Sequence, residues 1–215
     1  MPYHKGQPVV HAGAPLEGAC AAMILIHGRG AGAQDILGLG LAITAGLDGI
    51  ALIAPQAAGN SWYPARFLEP PERNEPALSS ALGVIDERVS EAVRSGLPRE
   101  RIVLAGFSQG ACLCLEYAAR NPRRYGAVFG LSGALIGPLG AARPAGDLAG
   151  TAVYLGCSDA DPFIPIEHVR GSAATLERMG AKVTASIFPG MGHTVNEEER
   201  AALHERLQAV LGTGV

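Results

Sequence analysis

The sequence predicts an α/β fold in which helices cover both faces of a mostly parallel central sheet. Short apolar runs alternate along the chain with amphipathic segments, which is the pattern of parallel strands joined by helices. Most of these runs are continuously apolar, as expected for strands that are buried on both faces. The 215 residues are 48% hydrophobic and 17% charged, which suits one globular domain over residues 1–215.

Six short apolar runs are the predicted strands. They cover residues 21–26, 50–54, 101–106, 126–133, 151–156 and 182–188. Ligands of parallel sheets bind at the carboxyl ends of the strands. Functional side chains are therefore expected in the turns that directly follow these runs.

The segments between the strands carry apolar residues at helical spacing. The predicted helices span residues 77–95, 109–120, 165–179 and 197–211, and another follows the glycine-rich turn after residue 26. Helix 109–120 is apolar almost all round, so it should be buried. Asn196 followed by Glu199 has the spacing of a capping pair at the start of the last helix.

Charge and cysteine content narrow the class of protein. The formal net charge is −3 and no Lys/Arg-rich run occurs, which argues against a nucleic-acid or anionic-membrane partner. The longest apolar stretch is too short for stable membrane insertion. The four cysteines have neither CxxC nor zinc spacing and are expected to be free thiols. Since the N-terminus lacks the apolar core of a signal peptide, a cytoplasmic location is predicted.

Ser108 is the candidate nucleophile. It lies in a G-x-S-x-G string, which is a weak signal alone but here joins a predicted strand to a predicted helix. That is the setting of a nucleophile elbow, where the helix N-terminus favours developing negative charge. Gly106 and Gly110 would let strand and helix approach closely. A turn serine that only caps the helix is the alternative.

A serine needs a general base, and three histidines follow Ser108 in the chain. His168 and His204 lie inside amphipathic helices, where solvated faces are expected. His193 lies in a glycine-rich loop directly after strand 182–188, which is a carboxyl end. His193 is therefore the predicted base, with a loop histidine bonded to backbone as the alternative.

The remaining catalytic groups are expected after two other strands. The acid should lie between serine and histidine in the chain, and both Asp159 and Asp161 fit by position. A second oxyanion N–H should come from an earlier glycine-rich turn, where the N–H of Arg29 would pair with that of Gln109. His27 precedes the nucleophile and is better explained as a residue that fixes this turn.

Four motifs in order make the chain resemble the phospholipase/carboxylesterase family of α/β-hydrolases, which includes acyl-protein thioesterases. They are HGRGA (27–31), GFSQGA (106–111), CSDADPFIP (157–165) and GMGH (190–193). The resemblance extends from about Met23 to Leu207. It implies an α/β-hydrolase fold without a large cap domain.

The resemblance also assigns roles. Ser108 is implied as nucleophile, His193 as base and Asp161 as acid, because the family's acid directly precedes a proline. The N–H groups of Arg29 and Gln109 are implied as the oxyanion hole. Thioesterase-like members usually carry an apolar residue in place of Arg29, and segment 60–82 is closer to bacterial carboxylesterases.

The predicted function is serine carboxylesterase activity on small to medium acyl or aryl esters, through an acyl-enzyme and with neither metal nor organic cofactor. Trp62, Tyr63 and Phe67 cluster in one long loop. They either form an apolar wall for the substrate or anchor the loop against the domain. The side chain of Arg29 either favours an anionic substrate or points into solvent.

Two other functions stay open. An acyl thioesterase or lysophospholipase would use the same triad. A non-enzymatic hydrolase fold that binds a ligand is disfavoured, since all three triad residue types are present in order. The expected partner is a small-molecule ester, with no nucleic acid, and both a monomer and a homodimer are compatible with the sequence.

Overall fold

A computed structural model describes residues 3–212 of the chain. In this part, seven strands form one sheet with helices on both faces. The strands are β1 (Val9–Gly13), β2 (Ala21–Ile26), β3 (Ile50–Pro55), β4 (Ile102–Phe107), β5 (Ala127–Leu131), β6 (Ala152–Ser158) and β7 (Lys182–Phe188). The helices are α1 (Ala33–Ile43), α2 (Ala77–Arg94), α3 (Gln109–Arg120), α4 (Ile166–Arg178) and α5 (Glu197–Gly212).

The sheet is parallel except at one edge. Its strand order is β1-β3-β2-β4-β5-β6-β7, and only the pair of β1 with β3 is antiparallel within the described residues. The predicted α/β fold with a mostly parallel sheet is confirmed. β1 was not among the predicted strands, because it is a half-exposed edge strand of five residues and lacks the continuous apolar pattern of its neighbours.

The order of the strands reverses beside β2. The chain runs from β2 to β3 on one side, and then returns to β4 on the other side of β2. In parallel sheets a crevice opens at such a switch point, outside the carboxyl ends of the two strands. Ile26 at the end of β2 pairs with Gly106 near the end of β4. The turns after these strands therefore lie side by side.

The core has two parts, one on each face of the sheet. On β2, Ile24 packs toward α2, α3 and α4, whereas Met23 packs toward α1 and α5. The alternation follows from the two-residue period of a strand. Helix α3 is buried from Gln109 to Ala119, as its composition predicted. In residues 3–212, no helix is both long enough and apolar enough to cross a membrane.

Candidate active site

Ser108 lies in the turn between β4 and α3, with a backbone that side chains rarely adopt. Its φ is 54° and its ψ is −117°. Residues held this way cost about 1–3 kcal/mol and concentrate at functional sites. A Cβ on Gly106 would come within 2.4 Å of the Gly110 carbonyl, and one on Gly110 within 2.0 Å of the Ile26 carbonyl oxygen. The two glycines are therefore required by the close approach of strand and helix.

His193 and Asp161 form a direct pair. The Nδ1 atom of His193 lies 2.7 Å from Oδ2 of Asp161, whose side chain is completely buried. The other oxygen of Asp161 accepts hydrogen bonds from the backbone N–H groups of Phe163 (2.8 Å) and Ile164 (3.1 Å). With Nδ1 donating to a fixed carboxylate, Nε2 of His193 is the nitrogen that can act as a base.

Asp159, the other candidate acid, bonds elsewhere. Its Oδ1 accepts the backbone N–H of Gly190 at 2.8 Å. This bond ties the turn after β6 to the loop after β7 that carries His193. Asp159 therefore holds two loops together, whereas Asp161 is the aspartate in contact with the imidazole.

The expectation of solvated faces was wrong for the other two histidines. His168 is half-buried, and its ring packs edge-on against Phe67 with centroids 5.7 Å apart. His204 is also half-buried, and its Nδ1 lies 2.7 Å from the carbonyl oxygen of Ile43. Helical spacing alone did not show that neighbouring parts of the chain cover these positions on α4 and α5.

Ser108 and His193 line one cavity of about 500 Å³. In the described part of the chain no hydrogen bond joins these two side chains. Such contacts are often long in ligand-free enzymes and tighten when the substrate binds. The ring of His193 lies between Phe107 and Phe163, each with its centroid 4.9 Å away. These rings restrict the orientation of the imidazole.

The backbone N–H groups of Arg29 and Gln109 are the candidate oxyanion donors. Within residues 3–212, neither donates a hydrogen bond to another protein group. Both residues line the cavity beside Ser108. An added Cβ on Gly28 would lie 3.3 Å from the Ser108 Cβ, so the glycine-rich turn is pressed against the elbow. Two free donors near the nucleophile suit a developing oxyanion.

The guanidinium of Arg29 binds the loop after β3. It donates to three successive carbonyl oxygens, those of Tyr63 (2.8 Å), Pro64 (2.9 Å) and Ala65 (2.8 Å). The residue is exposed to solvent, as one of the two alternatives expected, but its guanidinium is not free there, because three of its N–H donors bond this loop. Arg29 instead fixes the backbone that forms one wall of the cavity.

The side chain of Gln109 binds the same loop from the other side. Its Oε1 accepts the backbone N–H of Trp62 at 2.8 Å, and its Nε2 donates to the carbonyl of Tyr63 at 2.8 Å. The glutamine after the nucleophile is only 5% exposed. It therefore couples the elbow to the loop at residues 62–63.

Of the three predicted loop aromatics, two line the cavity. Tyr63 and Phe67 contribute to its wall. Trp62 is completely buried and is not part of the lining, and its indole N–H donates to the His27 carbonyl at 2.9 Å. The assignment of Trp62 to substrate binding is therefore corrected, and the alternative of a loop anchor describes it. Its hydrophobic area is used in packing.

Two buried histidines hold this loop in place. His27 donates from Nδ1 to the Gly28 carbonyl and accepts the N–H of Ala57 on Nε2. His4 bonds the Trp62 carbonyl (2.8 Å) through Nε2 and accepts the N–H of Ala58 on Nδ1. Burial lowers the pKa of both histidines, which favours the neutral rings that these bonds require. His27 has the loop-fixing role that its position in the sequence predicted, and His4, which was not a candidate residue, has a similar one.

The cavity also includes residues that were not among the sequence candidates. Phe107, Phe163 and Ile164 add apolar surface, and Cys112 lies among the lining residues. Burial raises the pKa of the Cys112 thiol to about 12, so this sulfur stays protonated and unreactive. Cys112 lies in the first turn of α3, close to Ser108 in the chain.

Comparison with known proteins identifies the family and supports the fold. The family model described as Phospholipase/Carboxylesterase matches residues 8–211. A phospholipase/carboxylesterase from Dyadobacter fermentans superposes with a TM-score of 0.90 at 39% identity, covering 96% of this chain and 98% of that one. The Bacillus cereus carboxylesterase superposes with a TM-score of 0.74 over 96% of this chain and 95% of its own, and at 18% identity it supports the fold alone.

Curated relatives are similar over shorter segments. Acyl-protein thioesterase 1 of Gibberella zeae is 33% identical over 114 residues, which cover 52% of this chain and 48% of that protein. The chain thus spans about half the length of this relative. The Schizosaccharomyces pombe protein of the same name is 27% identical, over 71% of this chain and 70% of its own. Since the family model covers almost the whole sequence, the chain belongs to the phospholipase/carboxylesterase family of α/β-hydrolases.

Proposed function

We propose that the protein is a serine carboxylesterase that hydrolyses small to medium acyl or aryl esters through an acyl-enzyme. One observation carries the proposal. Ser108, in its left-handed turn, lines the same cavity as His193, and the imidazole of His193 is bonded to the buried carboxylate of Asp161 at 2.7 Å. A serine, a base and a group that orients the base are the parts of an activated nucleophile.

The proposed reaction begins when Ser108 attacks the ester carbonyl and His193 takes its proton on Nε2. Asp161 holds the imidazole through Nδ1 and stabilises its charged form. The N–H groups of Arg29 and Gln109 bind the oxyanion. His193 then protonates the leaving alcohol. In deacylation the same imidazole activates a water molecule that attacks the acyl-enzyme, and Ser108 is restored.

The walls of the cavity support the proposed substrate class. Tyr63, Phe67 and Phe107 give it an apolar character, and its volume of about 500 Å³ falls in the range of small-molecule sites. Arg29 keeps its positive charge at this wall, although three of its N–H donors are bonded to backbone carbonyls. Esters with a compact acyl or aryl group fit a cavity of this size and lining.

The first experiment measures hydrolysis of p-nitrophenyl esters over a series of acyl lengths. We expect Ser108→Ala to lower kcat/KM about a thousandfold or more and to abolish labelling by a fluorophosphonate. Ser95→Ala, at the end of α2 and outside the cavity, is the control and should keep both properties. A wild-type protein that hydrolyses no ester and takes no label would refute the proposal and favour a ligand-binding function.

An acyl thioesterase or lysophospholipase is the second candidate. The similarity to two fungal proteins named acyl-protein thioesterase 1 favours it. The same cavity and the same residues would serve the reaction. Relative kcat/KM on aryl esters, acyl-CoA and lysophospholipid separates the candidates, and a preference of tenfold or more for the thioester would reverse our assignment.

We also propose a reducing, cytoplasmic setting, which the four free cysteines support. The number of subunits stays a prediction with two alternatives, monomer and homodimer. Light scattering of the purified protein distinguishes them.

A further inference from the structure

A second cavity lies next to the site described above. Its volume is about 230 Å³. The two cavities share Gly28, Ala31 and Phe107 as walls. Phe107, whose ring is tilted against that of His193 with centroids 4.9 Å apart, therefore borders both cavities. Thr194 and Val195 also line the smaller cavity.

We infer that this second cavity is the subsite for the alcohol part of the ester, an inference that rests on the proposed esterase function. In a bound ester, the carbonyl carbon next to Ser108 carries an acyl chain, an alkoxy group and the carbonyl oxygen. The N–H groups of Arg29 and Gln109 hold that oxygen. The larger cavity, lined by Tyr63 and Phe67, takes the acyl chain. The alkoxy oxygen must depart beside His193, which protonates it. The loop that follows His193 forms a wall of the smaller cavity.

The lining predicts the size and polarity of the alcohol. Ile36 and Leu39 of α1, together with Val195, present apolar side chains. At about 30 Å³ for each group the size of a water molecule, the cavity holds roughly eight non-hydrogen atoms. This suits a compact branched or cyclic alcohol.

The charge of the lining predicts a second preference. Of the nine residues that line this cavity, Asp35 is the acidic one, and none is Lys or Arg. The remaining titratable side chain is His27, whose pKa burial lowers, which favours its neutral form. One oxygen of Asp35 accepts the N–H of Gly32 at 2.7 Å and so holds the carboxylate at the start of α1. The subsite should therefore accept neutral and cationic alcohols and disfavour anionic ones.

The size prediction is tested with two butanoate esters, methyl butanoate and 3,3-dimethylbutyl butanoate. Leu39→Trp narrows the subsite, and the ratio of kcat/KM for the bulky ester to that for the methyl ester should fall about tenfold. Leu41→Trp, on the same helix but 49% exposed and outside the cavity, should leave the ratio unchanged. If Leu39→Trp does not fold, Thr194→Phe, at an exposed lining residue, makes the same test.

The charge prediction uses butanoylcholine, a cationic ester with the same shape as the 3,3-dimethylbutyl ester. The ratio of kcat/KM for the cationic ester to that for the neutral one should fall about fivefold in Asp35→Asn, which keeps an oxygen to cap α1. If the variants are active but both kcat/KM ratios stay at their wild-type values, the assignment of the alcohol subsite is refuted and the proposed esterase function is not. A wild-type protein that hydrolyses none of these esters, hydrolyses no p-nitrophenyl ester and takes no fluorophosphonate label would refute the proposed esterase function, and the subsite with it.

Discussion

Glu199 provides the sharpest test of the electrostatics of this fold. It lies in the first turn of α5, is completely buried, and accepts the N–H of Asn196 on Oε2 at 2.9 Å. Its Oε1 is buried without a hydrogen-bond partner in the described structure, against the Cα of Gly156. Burial therefore raises the pKa of this carboxyl from 4.5 to about 7.

The sign of the effect on stability follows from which state keeps the proton. Between the two pKa values, the unfolded chain has ionised at Glu199 while the folded chain still binds the proton, so the free energy of unfolding falls as pH rises. The loss of unfolding free energy caused by ionising the buried Glu199 is absent below pH 4.5 and complete above about pH 7. At 1.36 kcal/mol per pKa unit, the full penalty is about 3 kcal/mol.

The assay is urea unfolding of wild type, Glu199→Gln and Glu198→Gln at about pH 5 and about pH 8. The free energy of unfolding of Glu199→Gln minus that of wild type should be about 2–3 kcal/mol larger at the higher pH than at the lower one. Any cost of burying the amide itself is the same at both pH values and cancels. Glu198 is exposed in the same helical turn, so its variant should show no such change. An equal difference for Glu199→Gln at both pH values would refute the reasoning.

Three further variants test the supports of the site. Gly110→Ala puts a Cβ within 2.0 Å of the Ile26 carbonyl oxygen, so it should unfold the chain or lower the melting temperature by at least about 5 °C, read by circular dichroism. Arg29→Ala removes three hydrogen bonds to the loop at 63–65 and should speed limited proteolysis there, with intact-mass analysis of the cuts. Trp62→Phe loses the bond to His27 and should cost about 1–3 kcal/mol in urea unfolding, while the acyl-length profile stays that of wild type. A stable Gly110→Ala would contradict the required glycine at the elbow. An unchanged cleavage rate in Arg29→Ala would contradict its role in fixing the loop, and an altered acyl-length profile in Trp62→Phe would contradict its role as an anchor.

Local pattern was sufficient for the fold class and for the elbow. Continuous apolar runs located six of the seven strands, since strands buried on both faces need no polar alternation. The string around Ser108 predicted its turn. Glycine is required where a strand and a helix approach so closely that a Cβ atom would clash with backbone. The edge strand β1 was not predicted, because it is half-exposed and lacks the continuous apolar pattern of the other strands.

Position along the chain could not decide between Asp159 and Asp161, which are two residues apart at the end of the same strand. At the level of sequence, only the resemblance to a family favoured Asp161. In the structure, the turn that begins at Asp161 directs its carboxylate to His193, and Asp159 bonds the facing loop at Gly190. Both contacts join β6 to β7, which lie side by side only in the folded sheet.

The sequence by itself determined the chemistry of the site, namely which residue types occur, in which order, and at the ends of which strands. The tertiary structure decided what each side chain contacts. It buried Trp62 beneath the loop where a substrate wall was expected, bonded Arg29 to three carbonyls, and left one oxygen of Glu199 without a partner. Burial and hydrogen bonding of these side chains depend on segments far apart in the chain. Such contacts leave no periodic or spacing signal in the sequence.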